Sequence, residues 1–299
     1  MKDIFHFESC TTDPVSSLYK FHTTVNVLRI DKIHPDISGN KWFKLKHYIE
    51  EVKNSTRGSL VTFGGAFSNH IVATAAAAQL NDIKSIGIIR GEKPNELSHT
   101  LKKAISFGMQ LFFVSREEYK QKRLPPELMN KYDENELYII NEGGYGIKGM
   151  AGASEILKLV NIQEYTHIVA AVGTGTMLAG IVSGSYQNKI TGIPVLKNHF
   201  KLTDDINSLL PAEKKNQFEL IHDYHFGGYA KHKPALIDFM NEWFRKTGIP
   251  SDFVYTGKLF YAVNDLLKNS YFPSDSRILV IHSGGLQGNE SLMKGTLIF

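Results

Sequence analysis

Short, mostly apolar segments recur along this chain, and most of them run straight into glycines and then into helical segments. Residues 59–63 (SLVTF) lead through Gly64 and Gly65 to an Ala-rich stretch at 71–80. Residues 85–89 (SIGII) precede a helical pattern at 96–108, and 110–114 and 137–140 follow, the last just ahead of Gly143. Residues 167–172 run into Gly173, 193–197 read as the next strand, and 277–282 (RILVIH) end before Gly284 and Gly285. A strand that is apolar at every position is covered on both faces. Such strands alternating with helices pack as mostly parallel sheets. Ligands of these sheets bind beyond the carboxyl ends of the strands, which is where the glycines gather here. Residues 31–38 are polar and broken by Pro35, and 198–217, polar and weakly periodic, read as surface structure between strands.

Composition narrows the class further. The 299 residues predict one large or two medium domains, and 42% hydrophobic with 21% charged residues argues against disorder. No apolar run reaches the roughly 18 residues of a spanning helix. The start, MKDIFHFESC, has no apolar signal region. Cys10 is the only cysteine, which excludes an intramolecular disulfide and a multi-cysteine metal site and makes a reducing cytoplasm the expected compartment. A net charge of +4 gives no sign of a nucleic-acid partner, and the basic residues 120–123 adjoin Glu117 and Glu118, as a solvated surface does.

Three segments carry chemistry. In Ser38-Gly39-Asn40-Lys41, Ser38 or Asn40 is placed to cap a helix, with Leu45 and Tyr48 on the face of Lys41. If that face is buried, Lys41 sits at the cationic start of a helix, and its amine loses pKa and becomes a usable nucleophile. On spacing alone, a surface lysine among other lysines is the more ordinary reading. Gly64-Gly65-Ala66-Phe67-Ser68-Asn69-His70 joins a strand to the Ala-rich helix. Ser68 can cap that helix, whose free N–H groups suit a carboxylate; a capped start with no ligand fits equally. Gly173-Thr174-Gly175-Thr176, between a strand and a helix, has the amides and hydroxyls of a phosphate cradle. It is neither a Walker loop nor a dinucleotide fingerprint: no Gly-Lys-Ser/Thr follows, the glycine spacing is wrong, and 193–200 holds no acid for a ribose. This counts against a nucleotide-binding dehydrogenase. His222, His225 and His232 lack the spacing of a zinc motif.

Taken in order, Gly39-Asn40-Lys41 with Lys44-Leu45, Phe67-Ser68-Asn69-His70, Gly173–Gly180, Val254-Tyr255-Thr256-Gly257-Lys258 and His282-Ser283-Gly284-Gly285 resemble the fold-type-II pyridoxal-phosphate (PLP) family of tryptophan synthase β-subunits. Within it they resemble the 1-aminocyclopropane-1-carboxylate (ACC) deaminase/D-cysteine desulfhydrase branch. The resemblance implies two three-layer α/β domains with mostly parallel sheets. Residues 1–43 and 148–299 would form the large PLP-binding domain and 44–147 the small inserted one.

The same resemblance implies roles. Lys41 matches the lysine that bonds covalently to PLP. Asn69 matches the asparagine that bonds the cofactor's 3-hydroxyl. Ser68, Asn69 and His70 border the substrate carboxylate, with Ser68 also a candidate for proton transfer. Gly173, Thr174, Gly175 and Thr176 match the phosphate loop. Tyr229 and Tyr255, 26 residues apart, match the paired active-site tyrosines. Thr256 and Ser283 stand beside the cofactor ring, where ACC deaminases proper have Glu and Leu and desulfhydrases of the branch tend to have Ser or Thr. Met177 replaces a hydroxyl residue common in the phosphate loop, and Arg29-Ile30-Asp31 stands where Arg-Asp-Asp is usual. The expected activity is a PLP-dependent β-elimination on a small amino acid, D-cysteine giving pyruvate, sulfide and ammonia. The alternatives are ACC deamination to 2-oxobutanoate and a catalytically silent binding protein on the same fold. The resemblance further implies a homodimer, and the lone cysteine, mild charge, short apolar runs and histidine spacing above make it an expected cytoplasmic one without nucleic-acid, membrane or metal partners.

Overall fold

The computed structural model describes residues 4–18 and 22–299. Its strands are β1 (Thr12–Pro14), β2 (Thr24–Leu28), β3 (Ser59–Gly64), β4 (Lys84–Arg90), β5 (Gln110–Val114), β6 (Leu137–Ile140), β7 (His167–Val172), β8 (Lys189–Pro194), β9 (Glu219–Leu220) and β10 (Arg277–Ile281). The helices are α1 (Asn40–Lys53), α2 (Asn69–Gln79), α3 (His99–Ser106), α4 (Arg116–Gln121), α5 (Pro126–Met129), α6 (Ile147–Ser154), α7 (Thr176–Gly184), α8 (Leu202–Leu209), α9 (Pro234–Thr247) and α10 (Thr256–Lys268). One sheet has six strands in the order β1-β2-β10-β7-β8-β9, and the other has four in the order β5-β4-β3-β6. Every pairing is parallel except β1 with β2.

The apolar strands divide their side chains between two faces, as a period of two requires. Ile168, Ala170 and Val172 of β7 join Leu178 and Ile181 of α7 in the largest core. Val169 and Ala171 point the other way, onto Trp243 of α9 and Leu259, Phe260 and Val263 of α10. The Ala-rich α2 lays Ala73 and Ala76–Ala78 into the largest core and Ile71 and Ala75 against Ile89 and Leu101.

Three expectations need correction. The strand expected at 193–197 is β8, Lys189–Pro194. Its last register partner on β7 is Val172, opposite Pro194, and Val195 N donates to Val172 O (3.0 Å). The helix expected from 96 starts at His99, where the Ser98 hydroxyl caps Leu101 N (3.2 Å). Residues 198–217 are more than surface: Leu202, Ile206 and Leu209 of α8 are buried. The pattern reading also missed β2, where Asn26 interrupts Val25, Val27 and Leu28, yet this strand lies parallel to β10 inside the sheet.

Candidate active site

Lys41 is the second residue of α1, and neither expected cap caps this helix. The Ser38 hydroxyl donates to Asp31 O (3.1 Å). The Asn40 amide accepts from Lys41 Nζ (2.7 Å) and donates to Met177 Sδ (3.1 Å). The turn is made instead by Gly39 at φ +60°, pressed so close to the end of β10 that a Cβ would lie 2.0 Å from Ser283 O. Asn40 N then donates to that same oxygen (3.2 Å). A side chain at 39 has neither the conformation nor the space. Gly39→Ala should therefore push α1 off β10 and lose ~2 kcal/mol or more of stability together with cofactor uptake, read by urea titration and absorbance.

Desolvation lowers the Lys41 amine to about 8, with the carboxylate of Asp252 acting against it. The ammonium lies 5.8 Å from the centroid of the Tyr255 ring. One turn on, Lys44 is buried and donates to Gly143 O (2.5 Å). Burial and the charge of Lys41 hold it well below the usual lysine range.

Ser68 occupies the N-cap position of α2, but its side chain makes no cap bond, contrary to expectation. Ser68 N donates to Gly65 O (3.0 Å) and Ile71 N to Ser68 O (3.1 Å), which leaves the N–H groups of Asn69 and His70 uncapped at the helix start. The Thr62 hydroxyl donates to Ile140 O (2.9 Å) and so accepts from His70 Nε2 (2.9 Å). This network assigns the tautomer and leaves His70 Nδ1 a bare acceptor, buried without a partner. Burial, Lys44 and Lys41 keep the ring neutral. Asn69 Oδ1 is likewise buried and unpartnered. Two buried acceptors on successive residues are thus left without a protein partner.

Gly175, at φ +85°, opens α7, and a Cβ there would stand 2.6 Å from Ile206 Cγ1 of α8. This contact gives the residues after 198 their part in the site. The Thr174 and Thr176 hydroxyls are 3.2 Å apart. A Cβ on Gly143 would meet Thr174 Cγ2 at 2.8 Å, so the residue that anchors Lys44 abuts this loop. The Lys44 amine and the amides and hydroxyls of this loop thus lie together at the end of β7. Met177 is buried and its sulfur turns to Asn40, at the start of α1.

Tyr255 lies beside Gly173, whose Cβ would be 3.2 Å from its ring. It meets Tyr229 edge-on, with centroids 6.1 Å apart at 73°. Desolvation raises both phenols, Tyr255 well above its ordinary value, so both are protonated at neutral pH. Thr256 is fully buried. Its hydroxyl donates to Asp252 Oδ1 (2.7 Å) and accepts from Asp252 N (2.8 Å), which commits it to the backbone turn. Ser283 is buried at the end of β10, above His282, whose Nε2 bonds Pro250 O (2.7 Å).

Lys41, Asn69, Gly173, Thr174, Tyr229, Tyr255 and Ser283 come together from both sheets, though they are far apart in the chain. Sequence reasoning passed over Asp252, Lys44 as an amine beside the loop, and Lys258. A signal for Asp252 existed: an aspartate just ahead of a helix start is a capping residue.

The groups present fit pyridoxal phosphate. The loop at 173–176 with Lys44 suits its phosphate, Lys41 its aldehyde and the unsatisfied Asn69 amide a ring hydroxyl. The missing side chain of Gly285 leaves open the place where a Cβ would stand 3.3 Å from Asn69 Nδ2 and 3.4 Å from Asp252 Oδ1. Among the described residues no cluster of His, Cys, Asp or Glu could hold a metal, and no helix is long and apolar enough to cross a membrane.

Fold and site together define a PLP enzyme of fold type II. Residues 20–284 match the family described as pyridoxal-phosphate dependent enzymes, and the chain belongs to it. It is 29% identical over 289 residues to a Thermotoga maritima protein provisionally named a 1-aminocyclopropane-1-carboxylate deaminase, covering 90% of this chain and 91% of that one. It is 28% identical over 294 residues to the mitochondrial bifunctional D-cysteine desulfhydrase/1-aminocyclopropane-1-carboxylate deaminase of Arabidopsis thaliana, covering 89% of this chain and 73% of that one. Among solved structures, the crystal structure of an ACC deaminase homologue superposes with a TM-score of 0.81 at 25% identity, over 94% of this chain and 90% of that one. The protein is a PLP-dependent lyase or deaminase of this branch.

Proposed function

We propose that the protein is a D-cysteine desulfhydrase, converting D-cysteine and water to pyruvate, hydrogen sulfide and ammonia. Bound PLP supplies the electron sink that stabilises negative charge at the substrate Cα. The start of α2 receives the substrate carboxylate at Ser68, Asn69 and His70, through the Ser68 hydroxyl and the N–H groups of Asn69 and His70, which no side chain caps. Lys41 is the covalent attachment point and then the base at the Cα proton, a role suited to an amine near pKa 8. Tyr255 and Tyr229, both protonated, face the cleft as donors toward the departing sulfur. The Cα–H and Cβ–S bonds break, the sulfur leaves with a proton, and water completes the conversion to keto acid and ammonia.

One observation carries the choice of substrate. The residue after Tyr255 offers no carboxylate, and the hydroxyl of Thr256 is locked onto Asp252. Both Asp252 oxygens are themselves filled by the N–H groups of Val254, Tyr255 and Thr256 and by the Thr256 hydroxyl. No acid is then free to keep a pyridine nitrogen protonated, so the electron sink is weaker. A weaker sink suits expulsion of a thiolate, a good leaving group, better than opening of a cyclopropane. The names of the relatives favour ACC deamination as the second reading.

Purified holoenzyme assayed with D-cysteine, L-cysteine and ACC decides between them. D-Cysteine should be turned over at least ~100-fold faster than ACC. A comparable ACC rate supports the deaminase instead. A bound cofactor with no turnover of any amino acid supports a silent binding protein.

A further inference from the structure

Lys258 is fully buried, yet the chemistry above does not use it. It stands in the first turn of α10, where the helix dipole disfavours a cation, and no carboxylate is bonded to it. Its Nζ donates instead to two backbone oxygens, His225 O (2.9 Å) and Gly228 O (2.7 Å). Those carbonyls bracket a tight loop. Phe226 (φ +52°) and Ala230 (φ +52°) hold the left-handed conformation that L side chains avoid, on either side of Gly227 (φ +98°), Gly228 (φ +115°) and Tyr229. A segment like that persists only where its surroundings fix it. Tyr229 belongs to this segment, and it projects onto Tyr255, three positions before Lys258 at the start of the same helix.

We propose that Lys258 is a positioning residue: its buried amine clamps the His225–Gly228 loop to the start of α10 and so fixes Tyr229 against Tyr255. The inference rests on the reading of these two tyrosines as the proton-holding pair. A neutral amine still has two N–H bonds for two carbonyls, so the clamp does not depend on the charge. A buried lysine at the wrong end of a helix dipole is a poor choice for stability alone, and such local conflicts collect where position matters.

The test uses holoenzyme and the variants Lys258→Met, Tyr229→Phe and the two combined. In Lys258→Met the visible cofactor band should persist, because Lys41 is untouched, while kcat falls about 10²-fold with little change in KM, as a misplacement of the order of 1 Å produces. The amides of Gly228 and Lys231, bonded to His225 O and Gly228 O, should exchange with solvent faster than in the unaltered enzyme. The double variant should be no slower than Tyr229→Phe alone, because the lysine acts through the tyrosine. A kcat within twofold of the unaltered enzyme, or two losses that multiply, overturns the proposal. If Lys258→Met does not fold, exchange in the unaltered holoenzyme decides: these two amides must be as slow as the first turn of α10, and fast exchange overturns the clamp. An unaltered enzyme with no turnover, but with slow exchange that Lys258→Met accelerates, removes the proposed function and leaves the clamp standing.

Discussion

Lys41→Ala should yield a folded protein that holds PLP only loosely, has no visible band that borohydride abolishes, and turns over substrate at least ~10³-fold more slowly. The size of the loss follows from the double use of one amine, as attachment point and as base. Its environment equips it for both. Gly39 seats it at the start of α1, desolvation brings the amine to about 8, and Asn40 Oδ1 holds Nζ at 2.7 Å. A neighbouring lysine cannot take over, because Lys44 is bonded to Gly143 O on the phosphate-loop side. The rate at which the cofactor-free protein captures PLP should rise with pH and level off above about 8, since only the unprotonated amine attacks. A borohydride-sensitive band that survives in Lys41→Ala would mean that another amine carries the covalent bond.

Asp252→Ala should be among the most destabilising single substitutions in this chain, by about 3–5 kcal/mol in urea titration. The carboxylate accepts four hydrogen bonds: from Val254 N (3.0 Å), Tyr255 N (2.9 Å), Thr256 N (2.9 Å) and the Thr256 hydroxyl (2.7 Å). Alanine would strand three N–H groups in a fully buried turn, where each unsatisfied donor costs about 1–3 kcal/mol. The raised pKa of Asp252, from burial, is the other side of the same desolvation, which these bonds oppose. Because Tyr255 is the N-cap residue of α10, the variant should also lose the Tyr229–Tyr255 contact and most of its activity. Asp252→Asn keeps one acceptor but turns an NH₂ toward N–H donors, and about half the stability loss is expected. A loss below ~1 kcal/mol would show that the turn is held by other contacts.

Much of the architecture was legible because its signals are local. Apolar runs such as 167–172 mark strands covered on both faces, and the glycines after them mark where those strands stop. The elements that escaped depend on pairing. Asn26 makes β2 look broken until its register beside β10 is known. The end of β8 follows from its register beside β7, whose last residue, Val172, stands opposite Pro194. The helix starts show the same limit: Ser38, Asn40 and Ser68 are capping residue types at or beside helix starts, yet none caps, and the first two spend their polar atoms on Asp31, Lys41 and Met177.

The sequence by itself determined the alternation of strands and helices, the collection of small residues at strand ends, and the presence of a lysine, an asparagine, a hydroxyl loop and two tyrosines in a telling order. Periodicity and residue type are properties of short windows, so no partner is needed to read them. Only the tertiary structure decided which of these groups are dry and which are already satisfied. It placed Lys41 where its amine falls to about 8, left the acceptors of Asn69 and His70 empty, closed Asp252 on Thr256, and set Lys258 under the loop of Tyr229. Desolvation and hydrogen-bond satisfaction depend on what distant segments pack against a side chain, and that is settled only when the two sheets and their helices meet.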